Sequence, residues 1–166
     1  MSDMNKNNEG YVGRPHGKRL GRELAMSFLF SCEMQSETPR AELFESFLET
    51  ALTEYQDVDD KTMNRAREYA SRLYVSVALN RQELDDLLAP MCVNWDWMRL
   101  SAVDRNIMRV AVTEMLYFEE VPPVVSIDEA VEIARDFSGC EGGNFINGVL
   151  NALKNKLIKS GKCSRS

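Results

Sequence analysis

From Gly17 onward the apolar residues recur at helical spacing, and no stretch of convincing length alternates apolar with polar. That single feature restricts the chain to an all-α fold. Leu20, Leu24, Phe28 and Cys32 fall at four-residue steps, with Ala25 and Leu29 beside them. At about 3.6 residues per turn they share one helix face. This predicts a first helix from Gly17 to about Gln35. Leu43, Phe44, Phe47, Leu48, Ala51 and Leu52 stripe a second, from Arg40 to Tyr55, with Pro39 suited to its first turn. Met63, Ala66, Ala70, Leu73, Val77 and Ala78 mark a third, from about Asp59 to Leu79. Asn80 is placed to cap a short fourth helix through Leu84, Leu87 and Leu88, which Pro90 closes.

The second half carries start and stop signals. Ser101-Ala-Val-Asp104 and Ser126-Ile-Asp-Glu129 both match the capping pattern of a helix start. The first is expected to open a helix with Val103, Ile107, Val110, Ala111 and Met115 inward, ending before Pro122-Pro123. The second is expected to open one with Ile127, Ala130, Val131, Ala134 and Phe137 inward, stopped at Gly139. After Gly142-Gly143 a last helix is expected from about Asn144 to Ile158, with Ile146, Val149, Leu150, Leu153 and Leu157 inward. The expectation is a compact bundle of about seven helices over residues 17–158. A disordered lead-in, 1–16, precedes it and a basic tail, 159–166, follows.

Charge is unevenly placed. The chain carries −6 in total, with +3 in residues 1–22 and +5 in residues 154–166, which leaves −14 for the rest. An acidic body repels phosphate over most of its surface but permits contact with nucleic acid at one end. The C-terminal cations read as a solvated tail. The polar N-terminus has no apolar core of a signal peptide, and no apolar run reaches the roughly 20 residues that span a bilayer. No membrane association is expected, and the chain reads as cytoplasmic.

Few catalytic groups are available. His16 is the single histidine, and Cys32, Cys92, Cys140 and Cys163 are dispersed without a C-x-x-C pair. The expectation is free thiols in a reducing compartment, with no metal and no cofactor. There is no phosphate-binding glycine loop, and the carboxylates sit at helix starts and on polar faces. The chain reads as a binder, not an enzyme, with no small-molecule substrate.

Three segments together resemble the NusB family. They are Lys18-Arg19-Leu-Gly-Arg22 through Phe30, Trp95 through Glu114, and Val121-Pro-Pro-Val-Val-Ser-Ile-Asp-Glu129 followed by Asn144-Phe145-Ile-Asn147-Gly148-Val-Leu. The resemblance covers about residues 17–158. It implies a transcription antitermination and ribosome-biogenesis factor. Such a factor pairs with NusE, a small-subunit ribosomal protein, and binds boxA-like single-stranded RNA in the transcription elongation complex.

The resemblance also implies RNA contacts at Lys18, Arg19, Arg22, Phe30, Asp104, Asn144 and Phe145. Lys18, Arg19 and Arg22 lie within about one turn, so their heads can converge on phosphates, although from the residues alone a solvated first turn is the favoured account. Leu20 and Gly21 stand where the family often has a basic residue and alanine, which thins the patch. Phe145, expected at a helix entrance, suits base stacking, whereas Phe30 divides evenly between core and RNA. Asp104 has a sufficient role in capping, and Arg109 reads as a helix-surface ion pair. Gly148 suggests close approach of another backbone. Trp95 and Trp97 read as packing anchors, and Tyr117 and Phe118 as core or partner surface. Two other readings stay open: a helical protein-binding module without RNA contact, and a stand-alone relative of the NusB-like domain of ribosomal-RNA methyltransferases.

Overall fold

A computed structural model describes residues 17–163; the expected lead-in at 1–16 and the last three residues of the basic tail lie outside the described residues. Five α-helices are present among them: α1 (Gly17–Met34), α2 (Ala41–Ala51), α3 (Asp60–Leu88), α4 (Ala102–Tyr117) and α5 (Pro123–Lys159). Short 3₁₀ turns lie at Leu52–Glu54, Ala89–Met91 and Trp97–Arg99. The described residues contain no strand.

Five helices replace the expected seven because two boundaries are kinks. At Asn80 the backbone leaves helical geometry (φ −119°, ψ 17°) without ending α3. Its side-chain amide donates backward to the carbonyl of Ser76 at 2.8 Å, so it caps nothing ahead of it. At Gly139 the chain takes φ 81°, ψ −178°, a conformation open essentially to glycine alone, and α5 resumes at once. Gly142 and Gly143 therefore lie inside α5, and Asn144 is not a helix start. Ser126 is not one either: Pro123, with its ring-fixed φ, starts α5 a turn earlier. Pro39 likewise stays outside α2, whose cap is Arg40. The Ser101 cap forms as expected, its Oγ accepting from the Asp104 amide at 3.1 Å. Asp59 caps α3 in the same way, accepting from the amide of Thr62 at 2.6 Å.

The longest contacts run between α1 and α3 and between α4 and α5, with α4 also against α1 and α3. Every residue from Arg105 to Met115 is buried, so α4 is the axis of the bundle. Phe28 of α1 meets Phe44 and Tyr74 edge-on, with ring centroids 5.1 and 5.0 Å apart. The close backbone approach lies at Gly21, where an added Cβ would stand 3.0 Å from the Ala66 carbonyl and from Tyr69 Cβ. Nothing lies within 4 Å of a Cβ added at Gly148, so the approach expected there does not occur. Phe137 and Ala78, expected inward, are exposed. Among the described residues no helix is long and apolar enough to cross a membrane.

Candidate nucleic-acid interface

The three cations of α1 have three different surroundings. Lys18 is exposed, its Nζ 5.7 Å from the centre of the Tyr69 ring. Arg19 is enclosed by carboxylates: Glu23 at 3.0 Å, Glu129 at 3.1 Å, Glu132 at 2.7 Å and Asp136 at 3.2 Å. Partial burial works against its charge, but the hydrogen bonds to Glu132, Glu23 and Glu129 outweigh that and raise its pKa above the ordinary arginine value.

Arg22 points into the bundle and is only 4 % exposed. Its Nε donates to Glu114 Oε1 at 2.9 Å and its Nη2 to Oε2 at 2.9 Å. Glu114 is fully buried, and the Tyr69 hydroxyl also donates to it. Burial disfavours the charged Arg22, yet the bonds and charge of Glu114 hold its pKa above the ordinary value. Burial and the Glu114 charge together push the Tyr69 phenol up. Arg22 therefore does not present its charge at the surface, and the expected convergence of three cations is corrected to one exposed lysine, one enclosed arginine and one interior ion pair.

A second buried network joins the other end of α1 to the start of α4. Glu33 accepts from Arg105 Nη2 at 2.6 Å, Asn106 Nδ2 at 2.9 Å and Arg109 Nη1 at 3.2 Å. Arg109 also forks onto Asp85, with Nε 2.7 Å from Oδ1 and Nη2 3.0 Å from Oδ2. Its guanidinium carbon lies 5.4 Å from the centre of the Trp97 ring. At 2 % exposure Arg109 is a core residue, not the surface ion pair expected of it.

The remaining expected site residues gather at this end. Phe30 is half-buried one turn before Glu33. Asp104 Oδ1 accepts from Ser138 Oγ at 2.8 Å, immediately before the Gly139 kink. Asn144 is exposed, and the half-buried Phe145 meets Trp95 edge-on with centroids 6.4 Å apart. Phe145 thus sits within α5 against a neighbouring ring, not at a helix entrance. Trp95 is 62 % exposed, so it is a surface ring and not a packing anchor, whereas Trp97 is buried as expected. Phe118 is core, and Tyr117 is exposed with its hydroxyl donating to Glu83 at 2.8 Å. The twelve residue steps from Lys18 to Phe30 span about 18 Å of helix. The structure therefore brings Phe30, Asp104, Asn144 and Phe145 to one end of α1 and leaves Lys18 and Arg19 at the other.

Sequence reasoning missed the cations of α3. Arg72 is exposed, with its guanidinium carbon 5.7 Å from the Tyr69 ring centre and 4.3 Å from that of Phe118. It pairs with Glu120 at 2.8 Å. Arg65 is exposed, and a Cβ added at Gly17 would stand 2.9 Å from its Cβ. The seven-residue step from Arg65 to Arg72 was the available signal, since it places both on one helix face. Among the described residues no group of three or more histidine, cysteine or acidic side chains is placed to hold a metal ion. Cys32, Cys92 and Cys163 are buried and Cys140 is exposed.

A five-helix bundle around a buried, charged axial helix is a known fold. It superposes with a TM-score of 0.71 on a chain from the crystal structure of antitermination factors NusB and NusE in complex with double-stranded RNA. That match covers 84 % of this chain and 97 % of the other at 24 % identity, which establishes the shared fold. The NusB family model matches residues 19–155. The transcription antitermination protein NusB of Desulfotalea psychrophila is 39 % identical over 82 % of this chain and 94 % of its own length. That of Chloroherpeton thalassium is 35 % identical over 90 % of this chain, which spans 66 % of that longer protein. The chain belongs to the NusB family, a family of transcription antitermination factors that are not enzymes.

Proposed function

We propose that this chain is a cytoplasmic RNA-binding antitermination factor that pairs with NusE and binds boxA-like single-stranded RNA. In this role it acts within the transcription elongation complex and supports transcription of ribosomal RNA. The observation that carries the reading is family membership over nearly all of the described chain. A fold neighbour crystallised with NusE and RNA supports it. The local geometry agrees. Lys18 offers a phosphate contact at one end of α1, and Arg19 adds one where RNA displaces a carboxylate. Asn144, Phe145, Phe30 and Asp104 offer base contacts and stacking at the other end. Arg22 serves by holding α1 on α4.

The test is fluorescence anisotropy with a labelled boxA-like RNA and a scrambled strand, with and without NusE, over a salt series. The expected outcome is preference for the boxA-like strand, tighter with NusE, and affinity that falls log-linearly with salt. The enclosure of Arg19 and the burial of Arg22 favour one second reading, a protein-binding module without RNA contact. Binding of NusE with no RNA affinity under any condition establishes that reading instead.

A further inference from the structure

Apart from the basic C-terminal segment, an exposed group of cations lies where α1 meets α3. Lys18 of α1 and Arg72 of α3 each stand 5.7 Å from the centre of the Tyr69 ring, so they are separated by no more than the sum of those distances. Arg65 lies two turns before Arg72 on the same side of α3, about 10 Å along the axis. Gly17 packs directly on Arg65, so α1 begins against this side of α3. Lys61 is exposed one turn further back.

Opposing charges here include Glu68, exposed one turn beyond Arg65, and Glu120, which pairs with Arg72 and also feels the charge of Lys18; Asp60 and Glu119 are exposed beside Lys61 and Glu120. No ion pair engages Lys18, Lys61 or Arg65 among the described residues. Arg67, also on α3, is paired with Glu45 of α2. Lys18, Arg65 and Arg72 are thus exposed cations on one side of the α1–α3 contact, while residues 23–153 as a whole carry −14.

We infer that Lys18, Arg65 and Arg72 together form the phosphate-contacting face of this protein, which receives the backbone of a single RNA strand beside Tyr69. The inference rests on the proposed RNA-binding role and deepens it. It moves the electrostatic contact from α1 alone to the α1–α3 face. The chemistry is that of backbone neutralisation: exposed guanidinium and ammonium groups, spaced along one helix side, replace condensed counterions. Arg72 is the strongest of the three, because its guanidinium can bridge a phosphate while its planar face stays over Phe118. Glu120 is the group a phosphate displaces. The ring of Tyr69, 5 % exposed, supplies the floor.

The test measures affinity for a boxA-like strand and an unrelated strand over a salt series, using the full chain with NusE. The variants are Lys18→Ala, Arg65→Ala, Arg72→Ala and, as a control, Arg67→Ala. Each of the first three is expected to weaken binding of both strands alike and to flatten the slope of log affinity against log salt by about 0.7. Arg67→Ala is expected to leave the slope unchanged. Arg72→Lys, which keeps the charge, restores the slope, and circular dichroism on each variant excludes unfolding as the cause. Wild-type binding with unchanged slopes for Arg65→Ala and Arg72→Ala overturns this face while leaving the RNA-binding role standing. Wild-type protein that binds neither strand overturns both.

Discussion

Arg22 and Glu114 are 92 residues apart in sequence and meet as a forked ion pair between α1 and α4, with Nε 2.9 Å from one carboxylate oxygen and 3.0 Å from the other. Breaking a buried pair strands a charge in a medium that solvates it poorly. Arg22→Met is therefore expected to cost about 3–5 kcal/mol of folding stability by chemical denaturation. Adding Glu114→Gln should recover part of that loss, because it removes the stranded charge and still gives the Tyr69 hydroxyl an acceptor. A double variant no more stable than the single one refutes this account.

Gly21 and Gly148 should respond in opposite directions to alanine. At Gly148 the site is exposed, helical and open, so Gly148→Ala is expected to stabilise by about 0.5–1 kcal/mol. At Gly21 the added methyl meets a backbone carbonyl and Tyr69 at 3.0 Å, and α1 must move off α3. A loss of about 1–3 kcal/mol is expected there despite alanine's better helix propensity. Melting temperatures of the two variants decide it, and a shift of the same sign in both contradicts the packing described here.

Acid should unfold this protein partly through Glu33. Burial by itself raises a carboxyl pKa. Here the hydrogen bonds from Arg105 and Asn106 and the charges of Arg109 and Arg105 prevail and hold Glu33 below the ordinary value. Arg81, at 3.7 Å, adds a further cation. The folded state thus favours the carboxylate more than the unfolded state does. The stability it contributes is present above the unfolded pKa of about 4.3 and is lost as pH falls through the lower folded value. Glu33→Gln should be less stable than wild type at neutral pH and show a shallower fall in denaturation midpoint below about pH 4.5. Parallel curves for the two proteins exclude Glu33 as a contributor.

Phe145 and Trp95 form a half-exposed ring pair, so Phe145→Ala should cost less folding stability than the roughly 3–5 kcal/mol of a fully buried phenylalanine. It should also change the fluorescence of Trp95. If the ring stacks on a base, RNA affinity falls by about 1–3 kcal/mol and Phe145→Tyr retains it. A folded alanine variant with wild-type RNA affinity removes Phe145 from the interface.

The helix stripes and the Ser101 cap were readable in the sequence because both depend on neighbours within a turn or two. Asn80 and Gly139 were readable as breaks but not as kinks. Whether a helix ends or resumes depends on the packing that holds the next turn. The interior arginines were not readable at all. Periodicity assigns charge to the surface, and Arg22 and Arg109 are inside because Glu114, Asp85 and Glu33 arrive from other helices. Of the expected interface, the α1 cations were found in the sequence but their inequality was not. Arg65 and Arg72 stayed unnoticed because their relation to Lys18 exists only once α1 lies on α3.

Tyr69 has its hydroxyl on the interior Glu114 and its ring beneath Lys18 and Arg72. The wall between the deepest charge of the protein and its cationic exterior is therefore a single phenol thick. Replacing Lys18 or Arg72 removes one contact from the outer face. A change at Tyr69 alters the lining of the core and the floor of the outer face in the same step. The interior and the exterior of the protein thus answer to one side chain.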